Sequence, residues 1–351
     1  MDKKIIIDGR QLTGNVKGGV QRYLYEILIE LDKIAKLGEY ELLIPEKTAI
    51  DYEYRNIKVV NYGKVQGLFW EQTCLPFYLW KSKAWGVFPC TIVPLLYPRG
   101  VAIIHDVMLA KMPELGDSFS NPIAKKLLLM NYRIAAKHAD VVATVSENSK
   151  KDIYELYGRK PEDIYVIGNA WQHITRIEMD DSWMEKYPML RKGEYYFSLS
   201  ANRKQKNFKW IYEMARRNPD TIFAIAGTQE EWQCEKECDA PNIIHLGYVS
   251  DEMVKSLMCN CKAFLFPSIY EGFGIPPMEA LAVGAKIIIA KTSCLPEIYG
   301  DSAYYIDPYR YDIDLEQLLS LEVAPAKEVL DRFSWKTSAD KLNQVCKKLL
   351  F

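Results

Sequence analysis

The chain has 351 residues, 49% hydrophobic and 26% charged, with a formal net charge of -1. That is too long for one ordinary core and too apolar for a disordered chain, so two globular domains are expected. The balanced charge argues against nucleic acid as the main partner. No apolar run reaches the ~18–20 residues of a spanning helix, and the start MDKKIIIDG does not read as a signal peptide, so a cytoplasmic location is expected. Eight cysteines scattered through such a chain favour free thiols over a disulfide framework. Cys234/Cys238 and Cys259/Cys261 are the close pairs, and their spacings are not those of a zinc knuckle, so no metal is expected.

Lys3–Asp8 reads as a strand running into a turn that contains Gly9, Gly14, Gly18 and Gly19. A helix follows, with Val20, Tyr23, Leu24, Ile27, Leu28 and Leu31 on one face. Strand, glycine turn and helix open a doubly wound sheet, whose ligands sit beyond the carboxyl ends of its strands. The turn lacks G-x-G-x-x-G, so dinucleotide binding is not expected. Further strands are expected at Tyr40–Ile44, Ile57–Val60 and Val101–Ile104, with the aromatic run LFWEQTCLPFYLWK as a helix before the last. His105 and Asp106 end this fourth strand, where a histidine is either catalytic or a hydrogen-bonded structural residue. Lys125–Lys137 mixes basic and apolar residues, as a core helix or a membrane-surface helix does. Val141–Val145 is the next strand; Ser146, Ser149 and Asp152 cap the helix after it. Ile164–Ile167 closes this first run, and the polar, aromatic stretch Asn169–Arg191 reads as a linker.

The alternation then restarts, with strands at Tyr195–Ser200, Thr221–Ala226, Ile243–Leu246, Ala263–Phe266 and Lys286–Ala290 and helices at Asn207–Asn218 and Ser250–Cys259. Two successive runs of this kind mean two doubly wound domains. Arg203, Lys204 and Lys206 precede a helix start, which suits either an anion site or a solvated basic loop. The most informative stretch is FLFPSIYEGFGIPPMEALAVG, Phe264 to Gly284. A buried strand is followed by Gly272 and Gly274, which admit backbone angles closed to other residues. Pro276 and Pro277 suit the first turn of a helix and Gly284 its end. Such a turn aims free N–H groups and a positive dipole end beyond the strand, as a phosphate seat does. Glu271 and Glu279 bracket it.

The string E-G-F-G-I-P-P-x-E-A-L-A-x-G resembles the E-x7-E signature of the retaining family 4 glycosyltransferases. Gly18-Gly19, His105-Asp106, T-V-S-x-x-S, K-N-F and L-G-Y occur in the order expected of that family. The resemblance implies an α/β chain of GT-B fold, two Rossmann-like doubly wound domains facing across a cleft. It places the acceptor-side domain at 1–168, a linker at 169–192 and the nucleotide-sugar domain at 193–335, with a C-terminal helix at 336–351 crossing back toward the first domain. It implies catalytic roles for His105, facing the donor sugar, and Glu271. Donor binding falls to Gly18, Gly19, Arg203, Lys206, Tyr248, Phe273, Gly274, Ile275 and Glu279, with Glu279 on the ribose diol and Tyr248 in the loop framing the base. In the family's G-R-x-x-x-x-K string Lys206 matches the lysine, but Ala201 stands at the arginine, and Arg203 is the candidate replacement.

The function so implied is retaining, metal-independent transfer of a hexose from a nucleotide-diphosphate sugar, a co-substrate, with no cofactor. GDP-mannose is the first donor to try and a dTDP- or UDP-sugar the alternative. The acceptor would be a saccharide or lipid-linked saccharide in capsule or O-antigen assembly, with any membrane contact peripheral on the inner face. The one D-x-D string, Asp312-Ile313-Asp314, falls outside the expected cleft. Two other readings share the fold, a nucleotide-sugar epimerase and a non-catalytic nucleotide-sugar-binding partner.

Overall fold

The computed structural model describes residues 4–12, 18–118, 121–199, 203–227 and 240–350. Ala201 and the Cys234/Cys238 pair lie outside them. The chain divides into two units, the first Met1–Glu114, Phe119–Asn169 and Trp335–Phe351, the second Leu115–Ser118 and Ala170–Ser334.

The first unit is built on seven strands, β1 (Ile5–Asp8), β2 (Tyr40–Ile44), β3 (Lys58–Asn61), β4 (Trp85–Phe88), β5 (Gly100–Ile103), β6 (Val141–Thr144) and β7 (Ile164–Val166). All pair in parallel, in the order β3-β2-β1-β4-β5-β6-β7. Helices cover both faces of such a sheet, so its central strands read as continuous apolar runs. Ile5, Ile6, Val101, Ala102 and Val142 are fully buried. The helix Gly19–Ile34 buries the face expected of it, Tyr23, Leu24, Ile27, Leu28 and Leu31, while Val20 stays exposed. The C-terminal helix Trp335–Lys347 packs on it, with the Trp335 ring edge-on to Tyr23 at 6.1 Å, and Asn343 Oδ1 accepts from the Tyr40 hydroxyl at 2.8 Å.

The second unit has six strands, β8 (Tyr195–Leu199), β9 (Ile222–Ala226), β10 (Ile243–Gly247), β11 (Ala263–Phe266), β12 (Ile287–Ala290) and β13 (Tyr304–Ile306). They are also parallel, in the order β10-β9-β8-β11-β12-β13. In each sheet the winding reverses once, between β1 and β4 and between β8 and β11. In open α/β sheets that reversal opens a crevice beyond the strand ends, where ligands bind.

Three details differ from the sequence reading. The strand β4 precedes Val101–Ile103, so His105 follows the fifth strand, not the fourth. WGVF is four residues long and adjoins an aromatic helix, so its own pattern is masked. The strand β13, three residues long, was likewise not expected. Residues 170–192, read as linker, lie in the second unit. Their aromatic content is core, since Trp183 is fully buried and its Nε1 donates to Ser256 Oγ at 2.8 Å.

Candidate active site

In the second unit the loops after β8 and β11 meet at the winding reversal. The Ile269 amide donates to the Gln205 carbonyl at 2.7 Å, and Asn207 Nδ2 donates to the carbonyls of Pro267 and Pro308 at 3.2 and 2.8 Å. Asn207 sits in the left-handed region, φ 55°, which asparagine tolerates and which turns the chain from the short 3-10 turn Lys204–Lys206 into the helix Phe208–Arg217. This zipping brings Lys206 Nζ to 2.6 Å from Glu271 Oε1, with Nζ also 5.1 Å from the centre of the Phe266 ring. The backbone of Glu271 is clamped from the loop after β12. Ser293 Oγ accepts from its amide at 3.1 Å and donates to its carbonyl at 2.5 Å, and Cys294 Sγ donates to the same carbonyl.

The turn into the helix Ile275–Ala282 rests on Gly274. Its φ of 86° is strained for any other residue, and a Cβ there would lie 2.8 Å from Leu295 Cδ2. Gly272 takes no positive φ, so of the two glycines only Gly274 is required by backbone conformation. The Tyr299 hydroxyl donates to the Gly274 carbonyl. Pro276 and Pro277 stand in the first helical turn, and Gly284, φ 86°, follows its end. Phe273 is buried, with its ring edge-on to Phe333 at 5.2 Å, and Ile275 is buried too, so these two side chains pack the turn rather than line a surface. Glu279 Oε1 lies 2.5 Å from Nε2 of His173, which belongs to the 3-10 turn Gln172–Arg176. Arg203 is exposed just before Lys204–Lys206, and Tyr248 is exposed just after β10. Asp312 pairs with Arg310, and Asp314 caps the helix Leu315–Leu319, so both carboxylates of the D-x-D string have structural partners.

In the first unit Gly18 and Gly19 are exposed at the start of the helix Gly19–Ile34. Tyr23, one turn further on, lies edge-on to the His105 ring at 4.8 Å. His105 is buried after β5, and its Nε2 is 2.7 Å from the Pro89 carbonyl, after β4. A carbonyl only accepts, so Nε2 carries the proton and Nδ1 is an acceptor in the neutral ring. Burial lowers the His105 pKa to about 4, against the smaller pull of the Pro89 hydrogen bond, so the ring is neutral at pH 7. At the end of β1, buried Asp8 and Glu71 lie beside half-buried Arg10, whose amide donates to Asp8 Oδ1 and whose Nε is 2.5 Å from Glu71 Oε1. Burial, helped by the neighbouring Asp8 carboxylate, raises the Glu71 pKa despite Arg10.

Of the expected residues, the structure thus joins Lys206 to Glu271 and ties Gly274, Ile275 and Glu279 into one turn and helix. The sequence reading missed His173, Ser293 and Tyr299. His173 lay in an apparent linker with no motif around it, and the other two act through partners more than twenty residues away.

Two parallel sheets, each reversing its winding once, class the chain as a doubly wound α/β protein of two units. Residues 179–328 match the sequence family described as glycosyl transferases group 1. Along 271 residues the chain is 26% identical to the O-antigen chain mannosyltransferase B of Escherichia coli, covering 71% of this chain and 70% of that protein. It is 27% identical over 226 residues to the O-antigen chain mannosyltransferase RfbU of Salmonella typhimurium, covering 62% of this chain and 58% of that one. Among solved structures, sucrose-phosphate synthase from Thermosynechococcus elongatus superposes with a TM-score of 0.73 at 12% identity, over 99% of both chains. Anabaena HepE in complex with UDP and glucose does so at 0.68 and 16%, over 98% of this chain and 99% of that one. The chain therefore has the GT-B fold, and its residues 179–328 are similar to the glycosyl transferases group 1 family.

Proposed function

We propose that this chain is a retaining, metal-independent glycosyltransferase that moves a hexose from a nucleotide-diphosphate sugar to a saccharide or lipid-linked saccharide of a bacterial surface polysaccharide. The observation that carries the chemistry is the Lys206–Glu271 contact at 2.6 Å beside the Gly274 turn. It sets a cation, a carboxylate and the positive dipole end of the helix Ile275–Ala282 at one winding reversal. In this reading the diphosphate rests on Lys206 and the helix start, with Arg203 adding charge. Glu279 takes the ribose, and Tyr248 flanks the base. As the bond from the anomeric carbon to the diphosphate oxygen breaks, Lys206 and the positive end of the helix dipole stabilise the departing charge, so a divalent ion is not needed. Glu271 faces the transferred sugar. His105, neutral and fixed through Nε2, offers Nδ1 as an acceptor for a sugar hydroxyl. The O-antigen relatives make GDP-mannose the first donor to test.

Membrane contact belongs to the same reading. No helix among the described residues is long and apolar enough to span a bilayer. The helix Pro122–His138 exposes Ile123, Leu127 and Met130 beside Lys126, Arg133 and Lys137, a pattern that suits peripheral contact with an anionic lipid surface.

The test is a panel of GDP-, UDP- and dTDP-sugars, with and without acceptor, products identified, in the presence and absence of chelator. Release of nucleotide diphosphate with glycoside formation and an unchanged rate in chelator is the expected result. Free sugar isomers without acceptor would indicate an epimerase. No turnover of any donor would indicate a binding partner. Activity lost in chelator and restored by magnesium would overturn the metal-free mechanism.

A further inference from the structure

Resting on the reading of Glu279 as the carboxylate that takes the ribose, we propose that His173 is a positioning residue for donor binding, holding one oxygen of Glu279 so that the other faces the diol. The two side chains meet at 2.5 Å, and their exposures differ in the sense required, 1% for His173 and 13% for Glu279. The imidazole is wholly enclosed, so it is not itself a ligand, whereas Glu279 keeps a face open. A hydrogen bond to a carboxylate is among the stronger kinds and is directional. It removes rotamer freedom that a glutamate on a short helix would otherwise give up on binding.

The histidine is itself held. Its two preceding side chains bind carbonyls of the closing stretch of the same unit. Trp171 Nε1 donates to the Leu330 carbonyl at 3.0 Å and Gln172 Nε2 to the Phe333 carbonyl at 3.0 Å. The Phe333 ring packs on Phe273, in the turn that starts the Glu279 helix. Three consecutive residues, Trp171, Gln172 and His173, thus fasten one 3-10 turn to the Leu330–Phe333 stretch and to Glu279. Outer groups that orient a ligating side chain act in this way at many sites.

The experiment is a double-mutant cycle on the full chain. Titration with GDP, and separately UDP, is run on wild type, His173→Ala, Glu279→Ala and the double variant, beside His173→Gln, whose amide nitrogen reaches the position of Nε2. Steady-state constants and melting temperatures accompany it. His173→Ala is expected to weaken the nucleotide by about tenfold and to raise the donor KM in step, with kcat within about twofold. His173→Gln should recover most of the affinity. In the Glu279→Ala background, His173→Ala should cost less than about twofold more, because the two act as one unit. Equal losses in both backgrounds, or a fall in melting temperature without a change in affinity, would overturn the proposal and leave His173 structural. Unchanged affinity in Glu279→Ala alone would instead remove the ribose reading on which the proposal rests.

Discussion

Lys206 holds three N–H donors and gives one to Glu271, leaving the ammonium partly neutralised and partly available. Both side chains are largely enclosed, 18% and 12% exposed, so the attraction between them is stronger than that of a surface pair. A bound diphosphate would compete with Glu271 for the same charge. Glu271→Gln keeps an acceptor for Lys206 but removes the competing negative charge. It is therefore expected to leave GDP affinity equal or higher while kcat falls by about 10²-fold or more, the scale of a lost catalytic group. Isothermal titration beside steady-state rates makes the comparison. Weaker GDP binding at normal kcat would place Glu271 on the nucleotide instead of the transferred sugar.

At the scale of elements, one turn does most to arrange the site. It is set by a glycine that nothing else replaces, because Gly274 combines a positive φ with a neighbouring Leu295 methyl where a Cβ would go. Gly274→Ala should cost roughly 1–3 kcal/mol of stability through strain at that position. It should also weaken nucleotide binding, since the start of the helix Ile275–Ala282 would no longer point the same way. Gly272→Ala, with no positive φ to lose, is the control, and urea midpoints for the two variants give the difference. Equal midpoints would mean that the loop relaxes around Gly274. The same turn was readable in the sequence because its signals are local, an apolar strand, glycine, paired prolines and a closing glycine within about twenty residues. The strands β4 and β13 were not, because three or four residues show no period of their own and are recruited by neighbours already paired.

At the scale of the whole molecule the formal charge nearly cancels, yet one face of the first unit is apolar and basic. The helix Gly67–Ser82 exposes Phe69, Phe77 and Trp80. It packs into the same core cluster as the helix Pro122–His138, through Trp70, Leu75 and Leu79 on one and Tyr132, Ala135 and Ala136 on the other. Both helices therefore cover one side of the sheet. If this face meets lipid, binding to anionic vesicles should fall as salt rises and with Lys126/Arg133→Glu. Phe77/Trp80→Ser should weaken it at every salt concentration, because burial of aromatic surface is not screened. Sedimentation with vesicles at low and high salt is the measurement. No binding at low salt would favour a soluble acceptor.

The sequence by itself determined the two runs of alternating strand and helix, the buried face of the first helix, the cap at Ser146 and the E-x7-E turn. Each depends on side chains within a few positions of one another, and the backbone rules that act at that range are strict. Tertiary structure alone decided which loops meet. It brought Lys206 to Glu271 across sixty-five residues and His173 to Glu279 across one hundred and six. It also turned an apparent linker into core through Trp183. Those pairings follow from strand order, from where each sheet reverses its winding, and from which aromatic rings find burial. No periodicity in the chain records them.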